Sequence, residues 1–205
     1  MRDLFDEACD LIHYAGSCRR VGRCMRLALF VGDQWAGGTV LGSPFPNIGA
    51  RDEAFGLTVY TRGSQHRGLI SPWASENRDY WDNLQRIVNH ARTFIFPSFH
   101  GHGLGIRAIG LLPSAGKEIW EGRYGEGVMG FDTHCTSPTS RLFLDNDWSL
   151  VGRTKGYSRD RRVSLSNRAA EGEVTVRDNA GLTRKRRNTR WWTWVLPLNG
   201  SALER

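Results

Sequence analysis

An α/β (α+β) fold, a central sheet flanked by helices, is what this sequence predicts, on three observations. Short apolar runs with strand character alternate with segments whose apolar residues recur at helical spacing. Glycine, proline, asparagine and aspartate punctuate the joints between them. The length, 205 residues, suffices for one domain with a full core and not for two large ones.

In chain order, Leu4, Phe5, Ala8, Leu11 and Ile12 fall at helical spacing, so the first dozen residues are expected to form an amphipathic helix ending near His13. Met25 to Val31 is an apolar run with strand character, Gly32-Asp33 a turn signal and Trp35 to Leu41 the paired second strand of a hairpin. Gly42 to Gly49 contains Pro44 and Pro46 between glycines, which suits neither ladder nor helix. A third short strand is expected over Phe55 to Tyr60. Tyr80 to His90 reads as a helix, or as a helix giving way to a strand. Thr93 to Phe96 is a buried strand halted by Pro97, and Leu104 to Leu112 a short helix with Leu104, Ala108, Leu111 and Leu112 inward. Strands are expected at Gly127 to Phe131, Trp148 to Gly152 and Trp191 to Leu198, with a short helix from Ser140 to Asn146. The final strand places alternate tryptophans in the core.

The net charge of +7 is concentrated rather than spread. Residues 151 to 190 hold twelve basic side chains against four acidic ones, a local +8 that leaves the rest of the chain near −1. Such asymmetry favours a polyanionic partner. Only Lys117, Lys155 and Lys185 among the 28 basic residues are lysines, and the planar fork of arginine matches phosphate; a high-GC genome produces the same bias. Arg153, Lys155, Arg184, Lys185, Arg186, Arg187 and Arg190 are the candidate DNA contacts. Trp191, Trp192 and Trp194 follow directly, and indole faces stack on exposed bases. The competing reading makes 153 to 190 an arginine-rich insertion or solvated hairpin.

No run of 18 apolar residues occurs, and the first residues are acidic where a secretory signal would be basic. A soluble, cytoplasmic protein without a membrane partner is expected. Cys9, Cys18, Cys24 and Cys135 show no C-x-x-C spacing, so reduced thiols are expected rather than a zinc ribbon or disulfide framework. The oligomeric state is open, a homodimer included.

Phe94 to Ile106 reads as strand, glycine-rich loop and helix. Gly101, Gly103 and Gly105 let backbone N–H groups close on a phosphate at the positive end of the following helix. A purely structural turn has the same pattern. Pro97, Ser98, Phe99, His100, Gly101, His102, Gly103, Leu104 and Gly105 form the candidate cofactor loop.

His100 to Gly105 resembles the Arg/Gln-x-x-Gly-x-Gly/Ala motif of the GNAT acyltransferases, which holds the coenzyme A pyrophosphate between their fourth strand and the next helix. Here His100 stands in place of arginine or glutamine, and a ring mostly neutral at pH 7 is a weaker phosphate partner. Ser140 to Thr154 is similar to the helix and strand that close a GNAT domain. Leu11-Ile12-His13-Tyr14-Ala15-Gly16-Ser17 resembles the His-Tyr motif of the phage Mom DNA-modification proteins and of a related family from bacterial anti-phage islands. The second family is matched further by Ile87 to Pro97 and by Asn146 to Gly156.

The resemblance implies a GNAT-like fold with a central mixed sheet. It also implies a transferase that adds a carbamoylmethyl-type group to the exocyclic amine of adenine in double-stranded DNA, shielding phage DNA from restriction in a bacterial host. Acyl-CoA or a related small-group donor is the implied cofactor. By position, His13, Tyr14 and Asp132 are the candidate catalytic residues, and Phe143 stands where these families tend to have tyrosine.

Chemically, His13 suits a general base or metal ligand, Tyr14 an acid or stacking surface, and Asp132 a group that orients either. A helix-terminal cap and a loop cap are the competing structural roles. His13, His134 and Cys135 have the donor types of a mononuclear iron or zinc site, without any metal-motif spacing. Ser43, in Gly-Ser-Pro, is a conceivable nucleophile or an ordinary turn serine. An acetyltransferase acting on a small amine or protein, and a non-catalytic DNA-binding protein, remain alternatives.

Overall fold

A computed structural model describes residues 2–13, 22–46, 48–57, 78–125, 127–154 and 191–198, and the backbone of 172–177 and 183–188. Strands β1 (Cys24–Val31), β2 (Gln34–Gly42), β3 (Ile87–Ile95), β4 (Gly130–Cys135), β5 (Ser149–Arg153) and β8 (Trp192–Pro197) form one mixed sheet in the order β1-β2-β3-β4-β8-β5. Strands β6 (Gly172–Arg177) and β7 (Thr183–Asn188) pair with each other in a second, two-stranded sheet. The helices are α1 (Arg2–Ile12), α2 (Gly49–Ala54), α3 (Arg78–Gln85), α4 (Leu104–Gly110), α5 (Lys117–Tyr124) and α6 (Arg141–Leu144). Among the described residues no helix is long and apolar enough to cross a membrane.

Neighbouring β2 residues show why helices cover both faces. Val40 packs with Phe5 and Cys9 of α1, whereas Leu41 packs with Ile109 of α4, Trp120 of α5 and Phe143 of α6. Successive strand side chains point to opposite faces, so two apolar layers form on one strand. Phe55, just past α2, joins Ile87 and Val195 in a third cluster. Gly38 admits α1 closely: a Cβ there would stand 2.4 Å from Phe5 Cε2. An alanine at this position would have to push Phe5 out of the layer that α1 contributes.

Several boundaries differ from expectation. The strand foreseen over Phe55 to Tyr60 is absent at its start: Gly49–Ala54 is helical and Phe55 and Gly56 form its terminating turn, while 58 to 60 lie outside the described residues. Ambiguity over Tyr80 to His90 resolves as helix α3 followed by β3, so the strand foreseen from Thr93 begins at Ile87. The strand expected at Gly127 to Phe131 runs instead from Gly130 to Cys135, which puts Asp132 inside β4 rather than beyond its end. Leu111, expected inward, is 51% exposed; Ile109 is fully buried in its stead. Helix α5 follows a π-helical turn at Leu112–Gly116 that begins next to Pro113, and neither was foreseen. In the last strand Trp194 is buried and Trp192 half-buried.

Candidate functional site

Among the described residues one pair of neighbours in the main sheet is parallel, β3 with β4, and its pairing is short. It runs from Ile87 opposite Gly130 to His90 opposite Thr133 and then stops. Beyond that point β3 continues with β2 as far as Ile95 opposite Gly37, and β4 continues with β8 as far as Cys135 opposite Trp192. A bulge accompanies the parting. Leu41 faces His90 and Val40 faces Arg92, which leaves Ala91 as the extra residue. A bulged strand bends and twists more strongly, so the sheet opens at the carboxyl ends of its two parallel strands. That is where open α/β sheets bind ligands.

A chain of small polar groups lines the point of parting. Thr133 Oγ1 donates to the His90 carbonyl at 2.8 Å and lies 3.3 Å from His90 Nδ1. The Thr133 proton is thereby committed, which makes Nδ1–H the donor to Thr133 and Nε2 the acceptor. Nε2 lies 2.7 Å from Thr93 Oγ1, and Thr93 Oγ1 lies 2.9 Å from Thr39 Oγ1, so the hydroxyl protons run from Thr39 through Thr93 to the ring. Burial, with the nearby His13 and Arg92, pushes the His90 pKa down to about 3 despite the opposing pull of Asp132. His90 is a neutral, buried imidazole, packed edge-on against Phe143 and Trp148.

His13 follows the last turn of α1, with its backbone N–H donating to Cys9 O at 2.9 Å. Half-buried, it has a pKa lowered to about 4, first by burial and then by the Arg92 guanidinium. Neutral at physiological pH, it can accept a proton. Tyr14 lies outside the described residues.

Asp132 sits on the opposite side of β4 from Thr133, in a different network. Its Oδ2 accepts from Arg51 Nη1 at 3.0 Å, its Oδ1 accepts from Asn89 Nδ2 at 2.6 Å, and His134 Nε2 stands 3.6 Å from Oδ2. Arg51 also donates from Nη1 to Phe45 O at 2.7 Å and from Nε to Asp52 Oδ1 at 2.9 Å, while Tyr80 donates to Asp52 Oδ2 at 3.2 Å. Burial opposes the charge of Arg51, but Asp132 and Asp52 together raise its pKa. Burial likewise pushes Asp52 upward against the pull of Arg51. A fully desolvated ion pair with each oxygen engaged holds α2 to the sheet.

His134 and Cys135 are successive β4 residues, so they face opposite sides: His134 lies near Asp132 and Thr193, and Cys135 packs into the core, where burial raises its pKa. The structure therefore does not gather His13, His134 and Cys135 into one ligand set, and among the described residues no group of three His, Cys, Asp or Glu is placed to hold a metal ion. Ser43 is tied into a turn, its Oγ accepting from the Arg23 backbone N–H at 3.1 Å and its own N–H donating to Arg23 O.

The glycine-rich loop follows β3 directly. A 3₁₀ turn at Pro97–Phe99 leads to Gly101 and Gly103, whose φ angles of 84° and 68° are left-handed. Arg107 N–H donates to Gly103 O, the first helical bond of the segment, so the amides of Leu104, Gly105 and Ile106 have no intrahelical carbonyl to serve. His100 is exposed, but its Nε2 is not free for a phosphate: it donates to Ile95 O at 2.9 Å and braces the loop. Between this loop and α1 lies an open groove of about 690 Å³, lined by Leu4, Glu7, Ala8, Leu11, Ile12, Phe96, Pro97 and His100. It adjoins the part of β3 that has lost its parallel partner.

No protein-family model and no curated protein sequence matches the chain. Among solved structures the chain is similar to an acetyltransferase of Bacillus subtilis in complex with CoA, at 10% identity over 97% of this chain and 94% of that chain, with a TM-score of 0.49. It is also similar to a mosquito arylalkylamine N-acetyltransferase-like protein, at 16% identity over 80% of this chain and 69% of that one, TM-score 0.41. A CoA-dependent acyl-homoserine lactone synthase is similar at 12% identity over 99% and 83% of the two chains, TM-score 0.43.

Of the candidate DNA contacts, Arg153 ends β5 and places its guanidinium 5.1 Å over the Trp192 ring. Arg184, Lys185, Arg186 and Arg187 lie on β7, and Lys155 and Arg190 fall outside the described residues. Sequence reasoning did not single out Arg51, His90, Thr93 or Thr133. Asn89 and His90 were within reach, since they sit inside the matched segment Ile87 to Pro97.

Proposed function

We infer that this protein is a transferase that moves a small group from an acyl-CoA-type donor to an amine, and that the amine is the exocyclic nitrogen of adenine in double-stranded DNA. The observation that carries the first half is the parting of β3 and β4 after His90 and Thr133, with the Gly101–Gly103–Gly105 loop attached to the freed end of β3. A crevice at the carboxyl ends of parallel strands, with helix-start amides that no intrahelical carbonyl engages beside it, suits a long donor with a pyrophosphate. Within residues 97 to 105 the Leu104 and Gly105 amides, followed by that of Ile106, would hold that pyrophosphate, since His100 Nε2 is engaged by Ile95 O. The apolar lining of the adjoining groove suits the aliphatic arm of such a donor.

As the amine attacks the thioester carbonyl of the donor, the C–S bond breaks and the thiolate leaves; His13 would take up the proton that the amine loses and pass it to the departing thiolate. An aromatic exocyclic amine is already neutral, so it needs no strong base to free its lone pair; a neutral imidazole held well below its usual pKa suffices. Asp132, buried against Arg51 and Asn89, acts on this site through the architecture and through its charge near His90. The +8 carried by residues 151 to 190 supports the choice of DNA. The carbamoylmethyl-type group that the Mom resemblance implies is an alkyl group, which a related small-group donor rather than a thioester would have to supply.

Calorimetric titration with acetyl-CoA tests the donor half. Binding should be lost by at least about tenfold on Gly103→Val, because a β-branched residue is strained at left-handed φ. Undetectable binding to the wild type, or equal binding to the variant, would overturn it.

One observation favours a second reading, a small-amine acetyltransferase. Glu7 lines the groove, and Asp3 and Asp10 are exposed on the same helix, so a cationic amine would be attracted there. Acetyl transfer to a polyamine in the absence of DNA would establish it.

A further inference from the structure

The hairpin β6–β7 belongs to no part of the site described above, yet its register arranges the basic segment in an ordered way. Glu173 faces Arg187, Val174 faces Arg186, Thr175 faces Lys185, Val176 faces Arg184 and Arg177 faces Thr183. Directly opposed residues of an antiparallel pair lie on the same side, and successive ones alternate. One side of the ribbon therefore carries Glu173, Thr175, Arg177, Thr183, Lys185 and Arg187, six positions that are all hydrogen-bonding. The other carries Val174 and Val176 with Arg184 and Arg186.

We propose that this two-stranded ribbon is a DNA-binding element that enters the major groove of duplex DNA with the Thr175–Arg177–Lys185–Arg187 side inward. The dimensions agree. Two strands about 4.8 Å apart fit a groove about 12 Å wide, and six residues at about 3.3 Å each reach along some six base pairs. The chemistry agrees as well: lysine and arginine donate to guanine O6 and N7, threonine contacts either kind of base pair, and no apolar position interrupts that side. Both valines fall on the side away from the bases, where Arg184 and Arg186 can serve flanking phosphates. With three basic positions against Glu173 on the inward side and two basic positions on the outer one, the ribbon as a whole is strongly attracted to a polyanion.

The inference rests on DNA as the partner of the transferase, and the experiment separates the two. Fluorescence anisotropy of a duplex of about 20 base pairs is followed with the full chain over a series of salt concentrations, for the wild type and for Lys185→Ala/Arg187→Ala. Duplex binding should weaken by about tenfold or more in the double variant, while the slope of log affinity against log salt, which the phosphate contacts set, should stay near that of the wild type. Acetyl-CoA titration of the same variant, unchanged from wild type, shows that the rest of the chain is folded. Unchanged duplex affinity in the variant overturns the ribbon while leaving DNA as the partner. So does equal or tighter binding to a duplex RNA, whose deep, narrow major groove excludes a ribbon. Ribbon-dependent duplex binding without base modification would instead keep the ribbon and overturn the transferase's choice of acceptor. A wild type that does not bind duplex DNA overturns both.

Discussion

Thr133 and His90 stand opposite one another at the last paired position of β3 and β4, and the Thr133 hydroxyl donates to the carbonyl of the residue whose ring nitrogen it accepts from. The contact fixes the ring tautomer with the proton on Nδ1 and leaves Nε2 to accept from Thr93. A backbone and a side chain are thus clamped together at the place where the sheet opens.

The clamp gives the fold an acid sensitivity. His90 has its folded pKa lowered from 6.5 to about 3, so between those values the unfolded chain binds a proton that the folded one refuses. Stability from this group is complete above about pH 6.5 and declines as pH falls toward 3, by an amount on the order of a few kcal/mol. Urea unfolding at a series of pH values should show this decline in the wild type and a shallower one in His90→Gln. Nitrogen NMR should find the Nδ1–H tautomer, with no titration between about pH 5 and 8.

His13 answers to Arg92. Burial is the larger cause of its lowered pKa of about 4, and the guanidinium is the second. Arg92→Gln removes only the second, so the His13 pKa should rise part of the way back toward 6.5 without reaching it. The imidazole proton shifts of His13, followed against pH, measure this directly; a fall, or no change, would mean that the two side chains are not coupled.

Asp132 is held by partners that cannot spare it. Asp132→Ala leaves the buried Arg51 with one carboxylate fewer and should cost about 3–5 kcal/mol, readable as a lowered urea midpoint. Asp132→Asn retains an oxygen for Arg51 and should cost less. A loss of activity in the alanine variant therefore has to be judged beside its stability, and a midpoint unchanged from wild type would show that the Arg51 pair is not structural.

Much of this architecture was legible in local pattern. Helix α1, the β1–β2 hairpin, the end of β3 and the loop after it each announce themselves through spacing or turn residues. Of β4 only the start, Gly130 and Phe131, was foreseen, because Asp132, Thr133 and His134 are polar; facing alternate sides, they bond with Asn89, Arg51, His90 and Thr193. Those partners lie on β3, α2 and β8, far away in sequence, so no local signal marks them. Helix α2 was hidden for a related reason. It is only six residues long and begins at a glycine after a proline-rich loop, and what holds it is the ion pair from Arg51 to Asp132 rather than an apolar stripe.

The central claim is most directly tested by mass spectrometry of the nucleosides from DNA of cells expressing this chain, with His13→Ala as the control. A deoxyadenosine heavier by the mass of one small group, present with the wild type and absent with His13→Ala, is the expected result and would give the identity of the group. Unmodified deoxyadenosine from cells that contain folded, acetyl-CoA-binding protein would contradict DNA as the acceptor and turn attention to a soluble amine.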